Sequence, residues 1–303
     1  NLGKAASFSF RQEGSSNFRI HETSLDVQEL VNSSEGLSIV LEGGLWIDGS
    51  KPDLSQWAEI LDGLAKRNHQ VRFVLHGSDI RDPYHHAEVH SQSIFKSLSD
   101  ERRRELSRRA SYTRGVIENF GIDCCYTTVD LAKYSPPDAT WLPLVLGREE
   151  EVEGDFGTSA SSYQMGDAPV IYHNPSSMDL KGSNEIREVI QNLSSMGKAR
   201  LYPESGPVPH RINLNRIRAS DVIVDQVGVG GLGLTALEAI NLGTIVVSDV
   251  GPEAEEIYAD SIDEGLLVPV HPEAGLQSAV VKALQLAVTK NQDSPDERSI
   301  KQI

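Results

Sequence analysis

The sequence has no apolar run near the roughly 20 residues that a membrane-spanning helix needs, so these 303 residues are not expected to cross a bilayer as a helix. Positive charge is short. Lys and Arg number 28 against 44 Asp and Glu, a formal net charge of −16. A surface of that sign repels phosphate backbones, so no nucleic-acid partner is expected, and membrane contact is expected to be peripheral at most. Cysteine is nearly missing. The two present, Cys124 and Cys125, are adjacent, a spacing that strains a disulfide. They are expected to be buried thiols in a reducing compartment, neither a bridge nor a metal site. No Asp-x-Asp pair occurs, and adjacent histidines such as His85 and His86, followed by His90, do not share a face easily. No metal is therefore expected. The chain opens Asn1-Leu2-Gly3 without Met, a basic stretch or an apolar leader core, and a cytoplasmic location is the expectation.

What is present is an alternation of apolar runs and helical patterns. In the first half the expected strands are Leu37–Leu41, Val71–Leu75 and Asp123–Val129, with Trp141–Leu146 leading out. Helices are expected over Asp53–Lys66 and about Asp100–Asn119, separated by a polar stretch from Asp82 to Ser99. The basic run Arg102-Arg103-Arg104 with Arg108-Arg109 reads as a solvated helix face laced with i,i+4 ion pairs, or as a patch for a membrane or acceptor. Glu149–Asp155 and the Ser/Gly-rich Gly154–Ser162 form a linker candidate. In the second half, strands are expected over Val170–Tyr172, Ala199–Tyr202, Asp221–Asp225, Thr244–Ser248 and Gly265–Val270. Helical patterns fill the gaps. Val/Ile strands each followed by a helix signify parallel sheets buried on both faces. The expected class is α/β, with two Rossmann-like lobes, residues 1–150 and 151–303.

Ligands of such sheets bind beyond the C-terminal strand ends. Gly228-Val-Gly230-Gly231-Leu-Gly233 follows a strand and opens a helix there, and fits the G-x-G-x-x-G dinucleotide fingerprint, with Asp249 ending the next strand. An NAD-dependent enzyme is thus one reading, and a tight turn with no ligand is another. The motif usually opens the first βαβ unit of its domain, whereas here strands of the same lobe precede it.

The wider segment, Asp221-Val-Ile-Val-Asp225-Gln226 followed by Gly233-Leu234-Thr235-Ala-Leu-Glu238 and Gly243-Thr-Ile-Val-Val, resembles the donor site of family 4 retaining glycosyltransferases (glycosyltransferase group 1 type). In that family a glycine-rich turn brings amides to the donor diphosphate, and a glutamate in the following helix accepts both ribose hydroxyls. Gly233 and Glu238 match. The family's first glutamate does not: Gly230 stands eight residues before Glu238. Asp225 or Gln226 is the candidate for a replacement polar contact.

His173-Asn174-Pro-Ser176, running on to Lys181-Gly182, resembles the family segment whose lysine binds the diphosphate. The family's arginine is absent, and Arg211 or Arg216 is its candidate substitute. Arg72–His76-Gly77-Ser-Asp79-Ile-Arg81 resembles the segment ending in a histidine that contacts the donor sugar. Asp79 and Arg81 either bind acceptor hydroxyls or pair with each other. Thr127–Leu131 and Trp141–Pro143 resemble the end of the same lobe. Asn1–Glu35 shows no strand–glycine–helix opening, which suggests an incomplete N-terminal lobe.

The resemblance implies a GT-B fold with a cleft between its lobes, and retaining, metal-independent transfer of a sugar from a UDP- or GDP-linked donor in polysaccharide or glycoconjugate biosynthesis. The nucleotide sugar is a substrate, and no cofactor is implied. The acceptor would be a glycan, a lipid-linked glycan or a small molecule. The implied catalytic residues are His76, Asp79 and Lys181. The implied donor-binding residues are Asn174, Ser176, Lys181, Gln226, Gly230, Gly231, Gly233, Leu234, Thr235 and Glu238. The departures also allow a non-catalytic homologue that binds a partner or a glycan.

Overall fold

The computed structural model describes residues 53–144, 168–202 and 208–293, together with Gly36 and three strands near the start. The expected linker, and all of the tail beyond Asp293, lie outside these residues. The chain divides into two compact units: Asn1–His86 with Ser99–Pro143, and Ala87–Leu98 with Leu144–Ile303.

The first unit holds β1 (Phe8–Arg11), β2 (Phe18–Ile20), β3 (Ser38–Glu42), β4 (Gln70–Leu75), β5 (Asp123–Tyr126) and β6 (Thr140–Trp141). They form one sheet in the order β2-β1-β3-β4-β5-β6. From β3 to β6 the pairs are parallel. β1 is antiparallel to β2 and to β3, an edge the hydropathy pattern did not signal. The expected strand Asp123–Val129 stops at Tyr126, because Val129–Lys133 turns into a short 3-10 helix. The polar stretch after Asp82 also holds structure: a helix over Pro83–Val89 and a 3-10 turn over Ile94–Ser97.

Helix Leu54–Ala65 starts where Asp53 and Gln56 cap one another reciprocally, satisfying two amides that the helix leaves unpaired. It buries Trp57, which meets Phe73 edge-on at 5.9 Å and donates its indole N–H to the Tyr112 hydroxyl at 2.6 Å. Helix Asp100–Phe120 is capped by Ser99 and ended by left-handed Gly121. Its buried Val116 and Ile117 join Phe73, Leu75, Cys124 and Leu131 in one core, each large apolar side chain contributing about 1.5–3 kcal/mol by leaving water. Cys124 and Cys125 are both buried, and no disulfide joins them. On the outer face of this helix the basic run is laced with pairs at i,i+3: Arg102 to Glu105 at 2.6 Å, and Arg103 to Asp100.

The second unit holds β7 (Val170–Tyr172), β8 (Arg200–Leu201), β9 (Val222–Val224), β10 (Ile245–Ser248) and β11 (Leu267–Pro269). The order is β11-β10-β9-β7-β8, and every adjacent pair is parallel. On one face Ile171, Val222, Val224, Ile245 and Val247 pack with Ile186, Ile190 and Leu193 of helix Ser183–Ser195 and with Leu276, Val280 and Ala283 of helix Gly275–Asp293. Strand side chains alternate between faces, so the intervening Tyr172, Ile223 and Val246, also buried, serve the opposite face. Both sheets belong to the α/β class expected from the Val/Ile runs. In the second, the chain steps from β7 outward to β8, then back past β7 to β9. That reversal, between β7 and β9, is where a doubly wound sheet opens a crevice at its C-terminal edge.

Candidate functional site

The loops after β7 and β9 meet at this reversal. After β7 comes His173, almost wholly buried, with Nδ1 2.7 Å from the Val224 carbonyl and Nε2 2.8 Å from the Ser183 hydroxyl. A carbonyl only accepts, so Nδ1 carries the proton and the hydroxyl bonds Nε2. His173 thus ties β7 to β9 and to the start of helix Ser183–Ser195. Asn174 continues the loop and donates its amide to Asn213 at 3.0 Å. The same Asn213 oxygen accepts the Tyr172 hydroxyl at 2.8 Å. Burial pushes the Tyr172 phenol above its ordinary value, and a hydrogen bond from Arg216 pulls the other way. Arg216 lies over the Tyr202 ring. Ser176 is exposed in the loop, outside this network of bonds.

The loop ends at Lys181-Gly182. Gly182 has φ +68°, and a Cβ there would lie 3.1 Å from the Val227 carbonyl, so the position calls for glycine. That close approach lets the Val227 N–H donate to the Lys181 carbonyl at 3.2 Å. It brings Lys181 to the residues after β9. The ammonium donates to Asp225 Oδ1 at 3.1 Å and to the Gln226 side-chain carbonyl. The Gln226 amide in turn donates to the Gly231 carbonyl. Asp225 Oδ2 accepts the Gly233 N–H at 3.0 Å. Lys181 keeps 19% side-chain exposure while Asp225 and Gln226 are buried.

Helix Leu234–Asn241 begins here. Gly233 is its N-cap and brings no side-chain cap, so among the described residues the amides of the first turn, Leu234 and Thr235 among them, have no side-chain cap at the positive end of the helix. Glu238 lies one turn farther on. It is 8% exposed, and its Oε1 accepts the Nε2–H of His210 at 2.6 Å. His210 opens the neighbouring helix His210–Arg218 and is 66% exposed at the side chain.

The glycine turn is used differently from the fingerprint. The Gly230 N–H donates to Asp249 Oδ2 at 3.1 Å, and its carbonyl accepts the Gly251 N–H at 3.0 Å. Asp249 Oδ2 also lies 3.3 Å from His90 Nε2. The segment His90–Ile94 runs over the turn: the Ile94 N–H donates to the Gly228 carbonyl at 2.9 Å. A Cβ on Gly228 would lie 2.5 Å from the Gln92 carbonyl oxygen, and one on Gly230 would lie 3.2 Å from the His90 ring. Gly228 and Gly230 therefore admit a protein segment to close range. The Gly230 amide thus donates to Asp249 in this arrangement.

In the first unit, His76 ends β4 and places Nδ1 3.2 Å from the Thr127 hydroxyl after β5. Asp79 is buried, accepts the His76 N–H at 3.2 Å and pairs with Arg109. Arg81 pairs with Asp130, both buried. Asp79 and Arg81 thus have separate partners and do not pair with each other. His85 and His86 pack on the Tyr134 ring, edge-on and stacked. Among the described residues no group of three His, Cys, Asp or Glu side chains is placed to hold a metal, and no helix is long and apolar enough to cross a membrane.

No protein-family model matches the chain, and no curated protein matches it. Solved structures do align with it. The pneumococcal O-GlcNAc transferase GtfA in complex with UDP and GlcNAc is 11% identical at a TM-score of 0.45, covering 94% of this chain and 56% of its own. Sucrose-phosphate synthase from Thermosynechococcus elongatus is 15% identical at a TM-score of 0.46, covering 78% and 65%. The glycotransferase of kitacinnamycin is 14% identical at 0.38, covering 82% and 70%. The chain therefore spans less than two thirds of the length of the first two.

Proposed function

We propose that the second unit binds the nucleoside diphosphate of a nucleotide sugar, and that the protein is a glycosyltransferase that passes the sugar to an acceptor with retention and without a metal. One juxtaposition carries this reading. Lys181 stands against the start of helix Leu234–Asn241, its Nζ 2.7 Å from where a Gly233 Cβ would be. One helical turn beyond, about 5.4 Å along the axis, stands the buried carboxylate of Glu238. A cation and open amides suit a diphosphate. A carboxylate with two oxygens suits the vicinal hydroxyls of a ribose. The two parts of one ligand thus have two matching sites in the same order, at the crevice of a doubly wound sheet.

In the proposed reaction the acceptor hydroxyl attacks the anomeric carbon from the face that the diphosphate leaves. The carbon–oxygen bond to phosphate breaks, and the acceptor proton passes to a phosphate oxygen. Lys181 and the amides of Leu234 and Thr235 take up the negative charge that builds on the leaving group. Gln226 holds Lys181 against the glycine turn through Gly231. On the acceptor side we assign His76 to contact with sugar, with Asp79 holding it in place from its pairing with Arg109. UDP- and GDP-linked sugars are the proposed donors.

A second reading is favoured by Gly230. It stands where the family carries a glutamate, and its amide and carbonyl are bonded to Asp249 and Gly251. This supports a protein that binds the nucleotide without turning it over. An assay of the full chain with a panel of UDP-, GDP- and ADP-sugars separates the two. Release of nucleoside diphosphate supports the transferase. Thermal stabilisation by a nucleotide with no release supports binding alone. Stabilisation by NAD and by none of the diphosphates sinks both.

A further inference from the structure

We infer that His210 is a positioning residue that fixes the carboxylate of Glu238 for a vicinal diol, and so sets a preference for ribonucleotides over 2′-deoxyribonucleotides. This rests on the reading of Glu238 as the ribose-binding group. The ring of His210 is mostly in solvent and adds little to the core, yet its Nε2 meets Glu238 Oε1 at 2.6 Å. The carboxylate it meets is 8% exposed. A buried carboxylate is stabilised by a hydrogen-bond donor that also fixes its orientation. His210 supplies that donor from another helix. It is held for this role by Pro209, the N-cap residue, whose ring fixes the backbone just before the helix starts.

Among the described residues, the single N–H on Oε1 leaves Oε2, and the second lone pair of Oε1, for two further donors. A ribose brings two adjacent hydroxyls, and a 2′-deoxyribose brings one. With the plane of the carboxylate fixed, both hydroxyls are met at once. With it free to turn, the entropy of ordering it falls on the ligand.

The test is calorimetric titration of the full chain with UDP and 2′-deoxy-UDP, and with GDP and 2′-deoxy-GDP. Four proteins are compared: the unaltered chain, His210→Ala, His210→Gln and Glu238→Ala. The unaltered chain is expected to prefer the ribonucleotide by about ten- to hundredfold, the worth of one hydrogen bond to a charged group. His210→Ala is expected to lose most of that preference by weakening the ribonucleotide alone. His210→Gln, whose amide N–H also reaches Oε1, is expected to restore it. Equal weakening of both nucleotides in His210→Ala, or an unchanged preference, overturns the positioning role and leaves the ribose site standing. A preference that survives in Glu238→Ala overturns the ribose site itself, as does the absence of nucleotide binding in the unaltered chain.

Discussion

Lys181 and Asp225 form an ion pair at 3.1 Å, and the other oxygen of Asp225 holds the Gly233 N–H at 3.0 Å. The cation assigned to a diphosphate is therefore partly neutralised by Asp225. A diphosphate must compete with Asp225 for Lys181. Asp225→Asn keeps an oxygen for the Gly233 N–H and removes the competing charge. It is expected to tighten UDP or GDP binding by roughly three- to tenfold, about 0.7–1.4 kcal/mol, less than a full charge-assisted contact because Lys181 keeps its bond to Gln226. Calorimetry checks it. Weaker binding would show that the carboxylate, and not the exchange, is what the ligand uses.

Gly233→Ala tests the same contact sterically. Gly233 has extended backbone angles that alanine accepts, and the atom nearest a new Cβ, at 2.7 Å, is the flexible end of Lys181. The fold is expected to survive with a stability loss of about 1 kcal/mol or less, while the ammonium moves and nucleotide affinity falls about tenfold. Denaturant unfolding and calorimetry on one preparation separate these effects. A fall in stability with unchanged affinity would refute the placement of Lys181 in the site.

Gly228→Ala has the opposite profile. Its φ is +75°, and a Cβ would meet the Gln92 carbonyl oxygen at 2.5 Å, a backbone atom that cannot swing aside. The left-handed backbone costs about 1–2 kcal/mol for alanine, and the overlap costs about 1–3 more. A loss of about 3 kcal/mol is expected in urea unfolding. A loss of only about 1–2 kcal/mol, the backbone cost alone, would show that His90–Ile94 does not rest on this turn.

Burial pushes the Cys124 thiol up to about 11. At neutral pH it is therefore protonated and poorly nucleophilic. Iodoacetamide at pH 7.5 is expected to leave Cys124 unmodified in the folded protein and to label it in denaturant, read by peptide mass spectrometry. Rapid labelling of the native protein would contradict the buried strand.

The α/β class was legible because its signal is local. Runs such as Val222–Val224 and Ile245–Ser248 announce strands buried on both faces, and Gly233 to Glu238 lies within a single turn-and-helix unit. That Lys181 and the Asp225-Gln226 pair each follow a strand was legible, but their meeting was not, because it depends on β7 and β9 being neighbours in the sheet. What was illegible was the choice of partner over long sequence separation. Asp79 had Arg81 two residues away, yet it pairs with Arg109 from a helix whose rotation no pattern discloses. Gly228 and Gly230 resembled phosphate glycines because a close-approaching backbone and a close-approaching phosphate demand the same missing Cβ. His210 carried no motif at all. Only the packing of two helices puts it beside Glu238. The strands β1 and β2 are short and lack a long Val/Ile run, so nothing marked them.

The central claim is that Lys181 and Glu238 hold two parts of one nucleotide. Calorimetric titration of UDP and GDP into the full chain, into Lys181→Ala and into Glu238→Ala tests it most directly. The account expects micromolar-range binding of at least one nucleotide to the unaltered chain, and a loss of about tenfold or more in each variant. Affinity unchanged in both variants would contradict it.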